Sequence, residues 1–351
     1  MKGIAVQIQY RKYKLSLKLE DKITIICGDS ATGKSTIHKV LNVNSATKVI
    51  KVSDSSYKLR YIGTSDMLDM TIQTGMFPEY NIYIFDEGQI VITDSLARMI
   101  QESKNCYFII VMRSKVGKLN FGLTAVKQLV SDNNKITRAK TIIEINKLAI
   151  EDLRTREIGE CIIEDSGKAK QWFEALFSNL SFPITTPNAG KEQICALAEQ
   201  LLKTKRPNAG ILLIFDECSF GVCYKQLKAI LDSRTKYNDV LILSNYKSWE
   251  YLMLNSNFYK EAFIEYSIEQ PIFEEKFYEI QLDKLSSSSG SHTRISHNSS
   301  TKLPKCYTEE CCAYKHISNR QCRIGLSGTD KFVAMLQGTI FEDLLIIARR
   351  S

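Results

Sequence analysis

The sequence predicts an α/β fold, and three observations predict it. Short continuous apolar runs recur at Ile23–Cys27, Ile82–Phe85, Cys106–Met112 and Ile211–Phe215, as in strands buried on both faces. Helical patterns stand among them at Lys34–Leu41, Asp94–Ser103, Lys191–Lys203 and Tyr224–Ser233. The alternation runs through two cycles, the second beginning near residue 158. With 351 residues the chain has room for two modest domains and a tail. The expected organisation is a first α/β domain over 1–150, a second over 151–285, a flexible serine-rich linker over 286–302 and a cysteine-rich tail over 303–351.

The elements follow in order. Ile4–Tyr10 and Lys14–Leu19 alternate apolar and polar residues, which predicts a hairpin with one buried face. Ile23–Cys27 is a buried strand, followed by a glycine loop and the helix from Lys34. The stretch 45–75 is polar, with short strands expected at Thr47–Val52 and Leu59–Ile62. Ile82–Phe85 ends in Asp86-Glu87, and Cys106–Met112 ends at Arg113. In the second cycle the strand Cys161–Ile163 ends at Glu164, Lys168–Phe177 is an amphipathic helix and Phe182–Thr185 a short strand. Ile211–Phe215 ends at Asp216-Glu217, and Val240–Leu243 at Ser244-Asn245. The run SSSSGSHTRISHNSST cannot form a core. A last amphipathic helix is expected at Glu342–Arg349.

Composition excludes several classes. No apolar run reaches the roughly 18 residues that span a bilayer, and the N-terminus lacks an apolar signal core. Ten dispersed cysteines do not form a disulfide framework, so a cytoplasmic location with reduced thiols is expected. The net charge of +8 is unevenly spread. Residues 1–150 hold 22 Lys and Arg against 13 Asp and Glu (net +9), 151–285 hold 16 against 21 (net −5) and 286–351 hold 9 against 5 (net +4). The basic ends suit phosphate neutralisation on a nucleic acid, or equally a solvated lysine surface.

The strongest motif is G-x-x-x-x-G-K-S, running from Gly28 through Asp29, Ser30, Ala31 and Thr32 to Gly33, Lys34 and Ser35, with Thr36 behind. Its glycines allow a tight loop whose amide N–H groups point at phosphate oxygens, and the following helix adds its N-terminal dipole. Lys34 would reach the β- and γ-phosphates and Ser35 would ligate Mg²⁺. Asp86, at the end of an apolar strand, supplies the acid that organises the metal, Glu87 is the candidate base for an attacking water and Arg113 a candidate γ-phosphate sensor. The expected cofactors are ATP and Mg²⁺. Residues 23–113 thus resemble the P-loop ATPase superfamily through its Walker A and Walker B motifs. They depart from the ABC-type branch: only about 50 residues separate the two motifs, and no LSGGQ-like signature lies between them.

Residues 158–250 resemble a TOPRIM domain of the kind found in type IA topoisomerases and OLD-family nucleases. In CIIEDSGKAKQWFEAL an apolar strand ends at Glu164, the position of the glutamate that acts in metal-assisted phosphodiester chemistry. In ILLIFDECSFG, Asp216 matches the first aspartate of the D-x-D pair that helps hold Mg²⁺. Cys218 stands in the second place, and a thiol is a poor ligand for so hard a cation. Asp165 or Glu217 is the candidate replacement, and a fold that has lost the chemistry is the alternative. P-loop motifs followed by such a domain resemble the OLD-family order and the small ATP-binding proteins of bacterial mobile elements, which implies phage defence or element maintenance.

In the tail, Cys306, Cys311, His316 and Cys322 give C-x4-C-x4-H-x5-C, close to a zinc-knuckle spacing. Four such ligands suit tetrahedral Zn²⁺, and reduced packing cysteines are the alternative. The functional expectation is an ATP-binding and -hydrolysing protein whose nucleotide state gates a metal-dependent TOPRIM-like nuclease. Nucleic acid, a protein partner or a second copy are the expected partners, and a membrane is not. The alternative is a nucleotide-switched sensor or scaffold whose second domain is inactive.

Overall fold

The computed structural model describes residues 3–27, 34–72, 75–86, 90–112, 119–131, 136–143, 158–164, 183–186, 190–204, 210–233, 240–242, 247–255, 277–278 and 280–281. The chain divides into two compact units, Met1–Glu144 with Tyr266–Lys276, and Ile145–Glu265 with Phe277–Ser351. Both are α/β, and most strand pairings are parallel.

The first unit opens with β1 (Ile4–Tyr10) and β2 (Tyr13–Leu19), paired antiparallel from Ile4↔Leu19 to Tyr10↔Tyr13. Ile4, Val6 and Ile8 with Leu15, Leu17 and Leu19 form the buried face, as the alternation predicts. Arg11, in the two-residue turn, adopts φ 53, a left-handed conformation that matches hairpin twist. There follow β3 (Ile23–Cys27), α1 (Lys34–Asn42), β4 (Val49–Val52), β5 (Lys58–Ile62), α2 (Ser65–Thr71), β6 (Asn81–Asp86), α3 (Asp94–Glu102), β7 (Cys106–Val111), β8 (Val126–Ser131) and β9 (Ile136–Thr141). The sheet order is β4-β1-β2-β9-β8-β3-β7-β6-β5. The strands β8, β3, β7, β6 and β5 run parallel, and every residue of β3 and β7 is buried.

The sheet cannot be flat. Its edge strands β4 and β5 are joined by residues 53–57 alone, a connection that reaches at most about 21 Å. Nine strands side by side would hold those edges about 38 Å apart. The sheet therefore curls until its edges approach, and α1 touches elements at both. Lys48, just before β4, donates from Nζ to the Leu41 carbonyl at 3.0 Å, while His38 hydrogen-bonds to Tyr61 on β5. Ile37, Val40 and Leu41 of α1 are buried. Behind β6 and β7, Phe77, Tyr83, Phe85 and Phe108 form an aromatic cluster with ring centroids 4.9–6.0 Å apart. The Tyr83 hydroxyl donates to the Pro78 carbonyl at 2.9 Å, so this buried ring carries a satisfied polar tip.

Three elements depart from the expected ones. The strand expected from Thr47 begins at Val49, because Ser45–Lys48 is a turn closed by Lys48 N donating to the Ser45 carbonyl at 3.0 Å. The hairpin β8–β9 and the helix α2 were not anticipated. The strands contain buried Lys127 and Thr137 in place of an apolar alternation, and no residue of α2 is buried.

The second unit is a four-stranded parallel sheet, order β11-β10-β12-β13, of β10 (Ile158–Ile163), β11 (Ile184–Thr185), β12 (Gly210–Ile214) and β13 (Val240–Ile242). Its described helices are α4 (Lys191–Thr204), a 3-10 turn Glu217–Cys223, α5 (Tyr224–Ser233) and α6 (Trp249–Leu254). Helix α4 buries Ile194, Cys195, Ala198 and Leu202, one helical stripe. The helices expected at Lys168–Phe177 and Glu342–Arg349, the linker 286–302 and the tail 303–351 lie outside the described residues. Among the described residues no helix is long and apolar enough to cross a membrane.

Lys22, at the amino end of β3, is 2% exposed and donates to the Gln101 and Ser103 carbonyls at 2.8 and 2.5 Å, closing the C-terminus of α3. Burial lowers its ammonium from the ordinary 10.5 to about 8, with the nearby Cys106 thiol pulling the other way. Below pH 8 folded and unfolded chains both hold this proton; between about 8 and 10.5 only the unfolded chain does. By linkage the Lys22 contribution to stability therefore rises with pH over that window. Cys106, pushed up to about 11 by burial, acts with the opposite sign from about 9 to 11. Denaturation at pH 7.5, 8.5 and 9.5 is expected to show a steeper upward slope for the wild type than for Lys22→Met; equal slopes contradict the assignment.

Candidate functional site

Two places at the carboxyl edges of the sheets collect the residues that the motifs single out. In the first unit, Ile26 pairs with Val111 and Val111 pairs with Asp86, so β3, β7 and β6 end level with one another. Two strand spacings then separate the backbones at Ile26 and Asp86, about 10 Å. Met112 N donates to the Ile26 carbonyl at 2.8 Å, which holds the end of β7 against the end of β3. Lys34 is the first residue of α1 and is buried, and α1 begins with no acidic residue in its first turn. Thr36 is half-buried on the same turn. The residues 28–33, Glu87 and Arg113 lie outside the described residues, as do the side chains of Ser35 and Asp86.

His38 and Asn42 lie four and eight residues after Lys34, on one stripe of α1. Asn42 Nδ2 lies 3.2 Å from His38 Nε2, and His38 Nδ1 hydrogen-bonds to the Tyr61 hydroxyl. The ring is thus held at both nitrogens between the helix and β5, and a Cβ on Gly63 would meet the Tyr61 ring at 2.5 Å. The i, i+4, i+8 spacing is visible in the sequence, but the partner strand is not.

In the second unit, β10 lies between β11 and β12. The chain leaves β10 toward β11 on one side and leaves β12 toward β13 on the other. The crevice beyond the carboxyl ends of β10 and β12 is therefore the topological switch point, where open α/β sheets bind ligands. Glu164 and Asp216 stand there. Glu164 N donates to the Ile214 carbonyl at 2.9 Å, and Asp216 N donates to Glu164 Oε2 at 3.0 Å. Asp216 is 2% exposed, and its carbonyl accepts from Ser219 N at 3.0 Å and Ser219 Oγ at 3.3 Å. Cys218 is buried in the 3-10 turn, with its N–H donating to the Lys247 carbonyl at 3.1 Å. Lys191, at the start of α4, donates from Nζ to the Ser219 carbonyl at 2.9 Å. The turn after Asp216 is therefore tied to the connections on both sides of it.

The structure thus brings the Glu164 carboxylate beside the Asp216 backbone, and among the described residues no group of three His, Cys, Asp or Glu converges as a metal site. Asp165, Cys306, Cys311, His316 and Cys322 lie outside the described residues. The remaining described cysteines are buried and unbridged, and burial pushes the Cys161 thiol well up and the Cys195 thiol up to about 12. They suit packing better than chemistry. No protein-family model and no curated protein matches the chain.

Glu164→Ala removes the acceptor of a partly buried N–H and is expected to destabilise the second unit by about 1–3 kcal/mol. Glu164→Gln keeps a carbonyl oxygen in place and is expected to cost less. Urea denaturation of the three proteins checks the order; equal stability of Glu164→Ala and wild type contradicts it.

Proposed function

We propose that the chain binds and hydrolyses ATP with Mg²⁺ at the carboxyl edge of the first unit, and that its nucleotide state gates the acidic crevice of the second. The observation that carries the nucleotide half is the common level of β3, β7 and β6, which sets the end of the strand preceding the glycine motif level with Asp86. In this reading the backbone of 28–33 and Lys34 cradle the phosphates, Ser35 and Asp86 hold the metal, Glu87 aligns water and Arg113 reads the γ-phosphate. In support, the backbone at Asp86 lies two strand spacings, about 10 Å, from that at Ile26 near the end of β3. Lys34→Ala is expected to lower the ATP hydrolysis rate at least about tenfold, since it removes the cation that stabilises negative charge on the transferred phosphoryl group. A Lys34→Ala rate equal to that of the wild type sinks this half.

For the second unit the preferred reading is a TOPRIM-like nuclease, supported by the Glu164 carboxylate and the Asp216 backbone N–H being hydrogen-bonded at the switch point. Incubation with supercoiled plasmid or RNA, ATP and Mg²⁺ or Mn²⁺ is expected to give cleavage that Glu164→Gln, the variant that keeps the local fold, reduces at least about a hundredfold. No cleavage by the wild type under any of these conditions rejects the nuclease. A specific observation favours the alternative, a nucleotide-switched sensor or scaffold. Cys218 is buried where the motif would place a second carboxylate, and no third carboxylate joins the pair among the described residues. In that reading the chain binds a partner protein or DNA according to its ATP state, and the second unit is catalytically inactive.

A further inference from the structure

Strands β4, β1, β2 and β9 form one wing of the curled sheet. These four strands contain Lys14, Lys18, Lys51, Arg138 and Lys140 and no Asp or Glu at all. The pairing registers set all five cations on one face. Lys51 pairs with Gln7, Gln7 with Ser16 and Ser16 with Arg138, which makes one row across the wing. Lys14 lies one row to one side, and the same registers carried two residues further set Lys18 beside Lys140 on the other. The opposite face holds Ile4, Val6, Ile8, Leu15, Leu17 and Leu19, all buried, so the cationic face is the outer one. Its five cations are exposed. Adjacent rows lie about 7 Å apart and adjacent strands about 5 Å apart.

Lysines are often placed on sheet edges to block unwanted strand pairing. That accounts for Lys51 on β4. It does not account for Lys14 and Lys18 on β2 or Arg138 and Lys140 on β9, which are interior strands. Glu20, just after β2, meets Lys18 at 2.7 Å and Lys127 at 3.5 Å, and the four strands of the wing add no acid of their own.

We infer that this outer face binds the phosphate backbone of a nucleic acid without reading its sequence. The occupant follows from the chemistry of the face. Cations in several parallel rows, with Gln7, Gln9 and Ser16 as hydrogen-bonding groups between them, match a strand of regularly spaced phosphates. A membrane-surface site would present Trp, Phe or Leu for insertion, and this face presents none. The inference shares with the proposed function the premise that nucleic acid is the partner, and it depends on neither cleavage nor ATP.

The test is fluorescence anisotropy of the full chain with a labelled 30-base-pair duplex of arbitrary sequence, between 50 and 200 mM KCl. The comparison is a variant carrying Lys14→Gln, Lys51→Gln, Arg138→Gln and Lys140→Gln, with thermal unfolding as the check on its fold. The wild type is expected to bind with affinity that falls steeply with salt, and the variant at least about tenfold more weakly at 50 mM KCl. The logarithmic salt slope should shrink by about 0.9 for each cation that contacts phosphate, up to between three and four in all. A folded variant with unchanged affinity and slope overturns the inference, as does a wild type that binds phosphatidylserine vesicles and not the duplex. A variant that does not fold is replaced by the single substitutions Lys14→Gln and Lys140→Gln, each expected to lower the slope by about one. Duplex binding lost in the variant, with no cleavage by the wild type, keeps the face and rejects the nuclease; cleavage with unaltered binding by the variant does the reverse.

Discussion

The connection 53–57 constrains the first unit more than any other segment. It holds two edges of a nine-stranded sheet within about 21 Å of one another, and only a curled sheet satisfies that. The curl brings α1 within reach of both edges, through Lys48 on one side and Tyr61 on the other. The helix that starts at Lys34 is therefore tied to both edges through His38 and Leu41. The same curl turns the apolar faces of β1 and β2 inward, and it leaves their polar faces as the outer surface on which the five cations stand.

The two units use one device in different ways. In each, buried parallel strands end level with one another and acids occur at the strand ends. In the first, the level ends of β3, β7 and β6 separate Ile26 from Asp86 by the width of one strand. In the second, Glu164 and Asp216 stand on neighbouring strands and touch through a backbone amide. The first spacing is two strand separations, about 10 Å, and the second is one, about 5 Å. Beside the second pair, Cys218 is buried in the 3-10 turn two residues after Asp216.

Much of the fold was legible because its central strands are continuous apolar runs. Ile23–Cys27 and Cys106–Val111 bury every side chain, and such runs leave few alternatives. The hairpin β8–β9 was not legible, because buried Lys127 is satisfied by Thr141 at 3.0 Å and Glu20 at 3.5 Å, partners that no local pattern reveals. Helix α2 escaped for the opposite reason: with no buried residue it has no amphipathic signature. The loop motif and the strand-end acids could be read from spacing alone. The cationic face could not, since it exists only when β9, over a hundred residues away, pairs with β2.

The central claim is that one nucleotide engages the loop after β3 and the acid at the end of β6 together. Hydrogen–deuterium exchange of the full chain with and without Mg²⁺-ATP reads both segments in one measurement. The account predicts simultaneous slowing of exchange in peptides covering residues 28–36 and 82–88, absent in Lys34→Ala. Protection of neither segment, or of 28–36 alone with 82–88 unchanged, would contradict it.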